Sequence, residues 1–178
     1  MIASAFIEWL ADAQIGMTFN FYRDGERAAL LQRRLEAYLA ARAEAPVLLV
    51  GEAAGYRGAR VSGLPFTSER QLSGVGPAEA TATIVQRTLA ELGVADRVLL
   101  WNLVPTHPHR PGDPGSNRSP TCAEIAAARP FVAALAGGRR VVAVGRLAAR
   151  ELGGIAIRHP SHGGSADFRA GLREALRA

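Results

Sequence analysis

Apolar residues in this chain follow two rhythms that trade places along its length. Four continuous apolar runs, centred on Val47-Leu48-Leu49-Val50, Val98-Leu99-Leu100-Trp101, Val141-Val142-Ala143-Val144 and Ile155-Ala156-Ile157, predict strands over 47–51, 97–101, 140–144 and 154–158. Runs this short with no polar alternation mark strands buried on both faces, as in a parallel sheet. Elsewhere the spacing is helical. A short amphipathic helix is expected over 2–12, and a longer one from Glu26 to Ala43 with Leu30, Leu31, Leu35 and Leu39 on one face. Pro77 occupies a first helical position ahead of Ile84, Val85, Leu89 and Leu92, and Gly93 closes that helix. Thr121-Cys122-Ala123-Glu124 is a capping box opening a helix to Ala136, bent at Pro130 and ended by Gly137-Gly138. Further helices are expected over 146–152 and 165–177. The aromatic-rich stretch 16–25, the glycine-rich stretch 52–76 and the Pro/Gly-studded stretch 103–118 read as connections. Strands alternating with helices give an α/β fold with a parallel sheet covered on both sides. One domain spanning 1–178 is expected, with 1–45 as its N-terminal helical region.

Three of the predicted strands end on residues capable of chemistry. The first runs into Gly51-Glu52-Ala53-Ala54-Gly55, the second into Asn102, and the fourth into His159-Pro160-Ser161. Ligands in open α/β sheets sit outside the carboxyl ends of the strands, so a carboxylate, an amide and an imidazole are offered to one crevice.

Composition narrows the partners. All 21 basic residues are arginine and the formal net charge is +5, which suits a polyanion such as nucleic acid. A GC-rich coding bias would also yield an arginine-only basic set, so charge alone does not decide the matter. Arg57, Arg60, Arg110, Arg118 and Arg158 lie nearest the predicted crevice and are the phosphate candidates, whereas the arginines of 139–150 read as a solvated face. The single cysteine, Cys122, excludes an internal disulfide and any cysteine-held zinc or iron–sulfur centre. His107, His109, His159 and His162 do not form a zinc pattern, and the Gly51–Gly55 stretch is neither a Rossmann nor a Walker fingerprint. No metal and no cofactor are expected. No apolar run reaches the roughly 18 residues of a membrane span, and residues 1–9 make a poor signal peptide. A cytoplasmic protein is the expectation.

The ordered set Gly51-Glu52-Ala53-Ala54-Gly55, Gly63-Leu64-Pro65-Phe66, Asn102 and His159-Pro160-Ser161 resembles the uracil-DNA glycosylase superfamily over residues 46–172. Trp101-Asn102-Leu103-Val104, Asn117-Arg118-Ser119-Pro120-Thr121 with Glu124, and Val142-Ala143-Val144-Gly145 are similar to its iron–sulfur branch, whose four cysteines are absent here. The resemblance implies a three-layer α/β/α fold with a four-stranded parallel sheet and DNA across its carboxyl edge. It implies a monomeric base-excision-repair enzyme that flips deoxyuridine from the stack, hydrolyses its N-glycosidic bond and leaves an abasic site. Carried onto this chain, Glu52 handles the attacking water, and His159 donates to the departing base. Asn102 reads the uracil edge and Phe66 stacks the base. Ala53, Gly55 and Tyr56 border the base, and Ser161, Arg57, Arg118 and His162 meet DNA phosphates.

The pattern also departs from the best-known branch of that superfamily. Ala53 stands where an aspartate is usual, and Gly55 where a tyrosine bars thymine's methyl, with Tyr56 as the nearest substitute. His162-Gly163-Gly164 stands where a leucine wedge would follow. Each residue also has a plainer reading: Glu52 as a helix cap or an arginine's partner, Asn102 as a turn residue, Phe66 as core, His159 as a hydrogen-bonded structural histidine. Three rival functions follow: a glycosylase for another deaminated or mismatched base, a protein that binds uracil or abasic DNA without chemistry, and an N-glycosidase directed at RNA or nucleotides.

Overall fold

In the computed structural model, which describes residues 3–177, the four apolar runs form one parallel sheet. Its strands are β1 (Val47–Ala53), β2 (Val98–Val104), β3 (Arg140–Val144) and β4 (Ile155–Ile157), in the order β2-β1-β3-β4. Val47 to Val50 and all of β2 are buried, as continuous apolar runs demand. Helices cover both faces. On one, Leu48, Val50, Leu99 and Trp101 pack with residues of α1 (Ala3–Asp12), α2 (Ala28–Ala41) and α6 (Cys122–Ala136). On the other, Leu49, Leu100 and Val142 pack with α5 (Ala80–Leu92) and α8 (Ser165–Arg177). The short α7 (Arg146–Leu152) links β3 to β4. The expected α/β/α layering is present.

Element boundaries shift where backbone pairing carries a strand beyond its apolar run. The first two strands run on past Gly51 and Trp101, because their register continues through Gly51↔Asn102 to Ala53↔Val104. Glu52 and Asn102 therefore sit inside strand ends rather than in loops. The helix expected from Pro77 begins at Ala80, and the helix expected from Glu26 begins at Ala28. The expected first helix starts at Ala3, and Ile2 lies outside the described residues. Helix α6 runs unbroken through Pro130, with both halves of its capping box formed.

The stretch 52–76, read as a loop, holds α3 (Ala59–Ser62) and α4 (Glu69–Ser73). Each is about one turn long, too short to show a period, and tertiary contacts hold it. Glu69 is nearly buried and receives Arg34 at 2.8 Å and Arg27 at 3.0 Å, while Tyr22 Oη donates to Gly63 O at 2.8 Å. These bonds fasten the segment between α3 and α4 to the N-terminal helices. The N-terminal region also secures the far end of β2. Phe19 and His107 exchange both backbone hydrogen bonds, at 2.9 and 3.0 Å, and Thr18 and Thr106 hydroxyls meet at 2.6 Å. The first 45 residues thus hold the connections that follow β1 and β2 at the carboxyl edge of the sheet. No described helix is long and apolar enough to cross a membrane.

Candidate active site

Gly51 is the point where two site residues converge. A Cβ there would collide with Phe66 Cζ, stand 2.9 Å from Phe66 Cε2 and 3.1 Å from Asn102 Oδ1. Only a bare backbone lets the ring and the amide approach β1 together. Asn102 is held beside Gly51 by the β1–β2 register and is 5% exposed. Phe66 comes from the turn between α3 and α4, where its φ is +49° and its carbonyl accepts Gln86 Nε2 at 3.1 Å. It is 7% exposed and belongs to the core cluster of its face, yet its ring also lines the cavity at the sheet edge. Phe66 is thus a core residue that also forms part of the cavity wall.

His159 follows β4. Its Nδ1 lies 2.7 Å from Ser161 Oγ and accepts the Ser161 backbone N–H at 3.2 Å. A backbone amide can only donate, so Nδ1 is an acceptor and the ring proton resides on Nε2. Burial holds the imidazole below its ordinary pKa, against an opposing pull from the Glu52 carboxylate. The result is a neutral ring whose free end is a hydrogen-bond donor.

Glu52, Phe66, Asn102 and His159 line one cavity of about 490 Å³, a volume ordinary for a small-molecule site. Ala53, Gly55, Arg118 and His162 border it as well. Other expected residues lie elsewhere. Tyr56 turns its ring under the Arg60 guanidinium, 4.7 Å from the centroid, and towards His107. Arg57 is exposed and borders no cavity described here. Ser161 lies outside this cavity, its hydroxyl held between the Nδ1 atoms of His159 and His162. Arg118 is engaged: it makes a two-pronged pair with Glu124 at 2.8 and 2.7 Å and donates Nε–H to His109 O. Glu124 is 2% exposed, and its carboxyl is pulled down to about 2, chiefly by that guanidinium. Arg118 thus braces the loop before α6.

A second cavity of about 920 Å³ adjoins the first, sharing Glu52, Ser119, His159 and His162, and it is flanked by Arg146, Arg150 and Arg158. Arg158 was expected near the crevice; Arg146 and Arg150 were read as solvated surface. Arg146 follows Gly145 at the carboxyl end of β3, so the strand-end rule would have found it. Glu79, which precedes α5, is the other residue that sequence reasoning missed. It lines the first cavity half-buried, and burial raises its pKa. Nothing in the sequence separates it from an ordinary acidic residue ahead of a helix.

The remaining histidines do not assemble. His107 is fully buried, donating from Nδ1 to Ala54 O at 2.8 Å, and burial lowers its pKa. Among the described residues no group of three His, Cys, Asp or Glu side chains is placed to hold a metal ion.

Comparison with known proteins finds similarity both to a family and to solved structures. The family model of the uracil DNA glycosylase superfamily matches residues 39–175. The crystal structure of wild-type SMUG2 from Pedobacter heparinus shares the fold, with a TM-score of 0.68 over 99% of this chain and 97% of that one, at 14% identity. No curated protein matches the chain.

Proposed function

This chain belongs to the uracil DNA glycosylase superfamily, and from that premise we propose that it is a monofunctional DNA glycosylase. It hydrolyses the N-glycosidic bond of deoxyuridine, releasing uracil and leaving an abasic site. Membership of the superfamily gives the glycosylase-type activity; uracil as the base, and action as a cytoplasmic monomer without cofactor or metal, belong to the proposal. One observation carries it: a carboxylate, an amide, an aromatic ring and a neutral imidazole from four separate segments meet in a single cavity, beside an arginine-flanked groove.

The chemistry assigns each group a task. The target nucleotide leaves the stack and enters the cavity, with flanking phosphates drawn along Arg146, Arg150 and Arg158. Phe66 receives the face of the base. The Asn102 side chain offers one acceptor and two donors, enough to engage the N3–H and O4 of uracil together. As the glycosidic bond lengthens, the sugar gains oxocarbenium character and the base gains negative charge. His159 Nε2–H, already aimed and already neutral, stabilises that charge at O2 without a proton having to arrive. Glu52 orients the attacking water, takes up its proton and opposes the positive charge on the sugar. The Ser161 amide keeps the imidazole in the required tautomer.

The test is purified protein on duplexes carrying single lesions, with strand cleavage read after alkali. Uracil-containing strands become alkali-labile, and Asn102→Ala loses about 10²-fold or more in rate. Strands that are retained in a gel shift yet never become labile would assign the protein to binding alone. Release of another base but not uracil would reassign the substrate.

A further inference from the structure

Glu79 presents an unusual combination for a cavity wall. No donor among the described residues bonds its carboxyl, although the side chain is half-buried and faces the cavity. Its oxygens lie against two glycines. A Cβ on Gly55 would collide with Oε1 and stand 3.4 Å from Cδ; a Cβ on Gly58 would stand 2.7 Å from Cδ and 2.9 Å from Oε1. Gly55 is not in the left-handed region, so at that position it is the carboxyl, not the backbone, that a side chain would meet. The carboxyl alone fills the space. The wall beside Gly55 is therefore built from α5's leading residue rather than from β1's own loop.

Three sides of a seated pyrimidine meet different groups. Under the proposed function, Asn102 takes the N3–O4 edge and His159 the O2 side, which leaves the C5–C6 edge for the Gly55 wall. We propose that Glu79 is a specificity-determining residue that reads this edge, admitting a hydrogen-bond donor at C5 and rejecting a methyl group. A carboxyl with no protein partner gains a hydrogen bond from such a donor and loses contact with water when a methyl is pressed on it. The raised pKa fits a carboxyl that burial has left without a compensating cation.

The inference rests on the pose of the base, and the test separates it from the reaction. Amino and methyl groups are close in size, so 5-aminouracil and thymine differ mainly in polarity at C5. Their Kd values as free bases are measured by chemical-shift titration for wild type, Glu79→Ala, Glu79→Gln and Gly55→Ala. Wild type prefers the amino base about tenfold or more, the worth of one hydrogen bond to a charged group. Glu79→Ala abolishes the preference, and Glu79→Gln, which keeps an acceptor and the shape, retains part of it. Gly55→Ala, which displaces the carboxyl without altering it, reduces it too. A wild-type ratio within twofold of unity, or a tenfold ratio that survives Glu79→Ala, overturns the assignment. The preference without uracil excision leaves the Glu79 assignment standing and sinks the proposed reaction, while failure to bind either base sinks both.

Discussion

Replacing His159 probes the leaving-group half of the proposed reaction. Its contribution rests on three features: a half-buried ring, a backbone amide that dictates the tautomer, and a carboxylate nearby that does not overcome the effect of burial. Such a donor is fixed before the reaction begins, so its removal costs the full stabilisation of developing charge. For one preorganised donor that is about 10²–10³ in rate, or roughly 3–4 kcal/mol. His159→Ala is expected to lose that much in single-turnover excision of uracil, with a much smaller change in duplex Kd. Ser161→Ala removes the hydroxyl at 2.7 Å but keeps the amide, so it loses only about three- to tenfold, the worth of one neutral hydrogen bond. The pH profile distinguishes a neutral donor from an imidazolium. A neutral donor keeps the wild-type rate level from about pH 7 to 9, and the rate falls only as the ring protonates below its ordinary 6.5. A rate that climbs as pH drops from about 8 to 6, or a His159→Ala enzyme within threefold of wild type, would refute the reasoning.

Further outcomes follow from the same geometry. Gly51→Ala drives a methyl into the Phe66 ring and should lower stability by about 1–3 kcal/mol in urea denaturation, with excision falling as the ring leaves its seat; unchanged values would mean that the ring does not rest there. Replacing Arg146 and Arg150 together by alanine should flatten the dependence of log Kd on log salt by about two, one for each lost phosphate contact. An unaltered slope would make both arginines plain surface. Stability should decline as pH falls below about 6.5, because His107 and His159 have folded pKa values below their unfolded 6.5, so the unfolded chain takes up protons first. The Glu69 and Glu124 carboxylates, held at about 2 chiefly by Arg34 and Arg118, add stability above their unfolded 4.5 that is lost between there and about 2. Thermal melts across pH check both windows, and a protein most stable near pH 5 would contradict the first.

The sheet was legible because burial on both faces writes a continuous apolar run that little else produces. The same rule located Glu52, Asn102 and His159, since a parallel sheet gathers its carboxyl ends on one edge whatever the distance in sequence. Phe66 was legible only through resemblance; nothing in Gly63-Leu64-Pro65-Phe66 indicates which way the ring turns. Three things escaped for physical reasons. One-turn helices such as α3 and α4 have no period and exist through contacts such as Glu69 with Arg34. Arg118 looked free because its partner Glu124 already had a complete local role in the capping box. Glu79 was invisible because its significance lies in two glycines more than twenty residues earlier, which only the folded chain sets against it.

What remains is why a stable fold would tolerate these features. Among the described residues only Phe66 and His162 are non-glycines in the left-handed region, at φ of +49° and +51°, and both border the same cavity. That conformation costs roughly 1–2 kcal/mol for a residue with a Cβ. Glu79 adds a half-buried carboxyl without a donor on that cavity's wall. Elsewhere the buried carboxylates of Glu69 and Glu124 are paired, the capping boxes are formed, and the apolar runs are covered. Backbone strain at non-glycine residues thus falls on this one cavity among the described residues, whereas the buried polar atoms left without a partner lie away from it, on Arg60, Trp101 and His107. A cavity shaped only by leftover packing space would have no reason to collect that strain, whereas one that must hold a ring, an edge reader and a donor in fixed positions does.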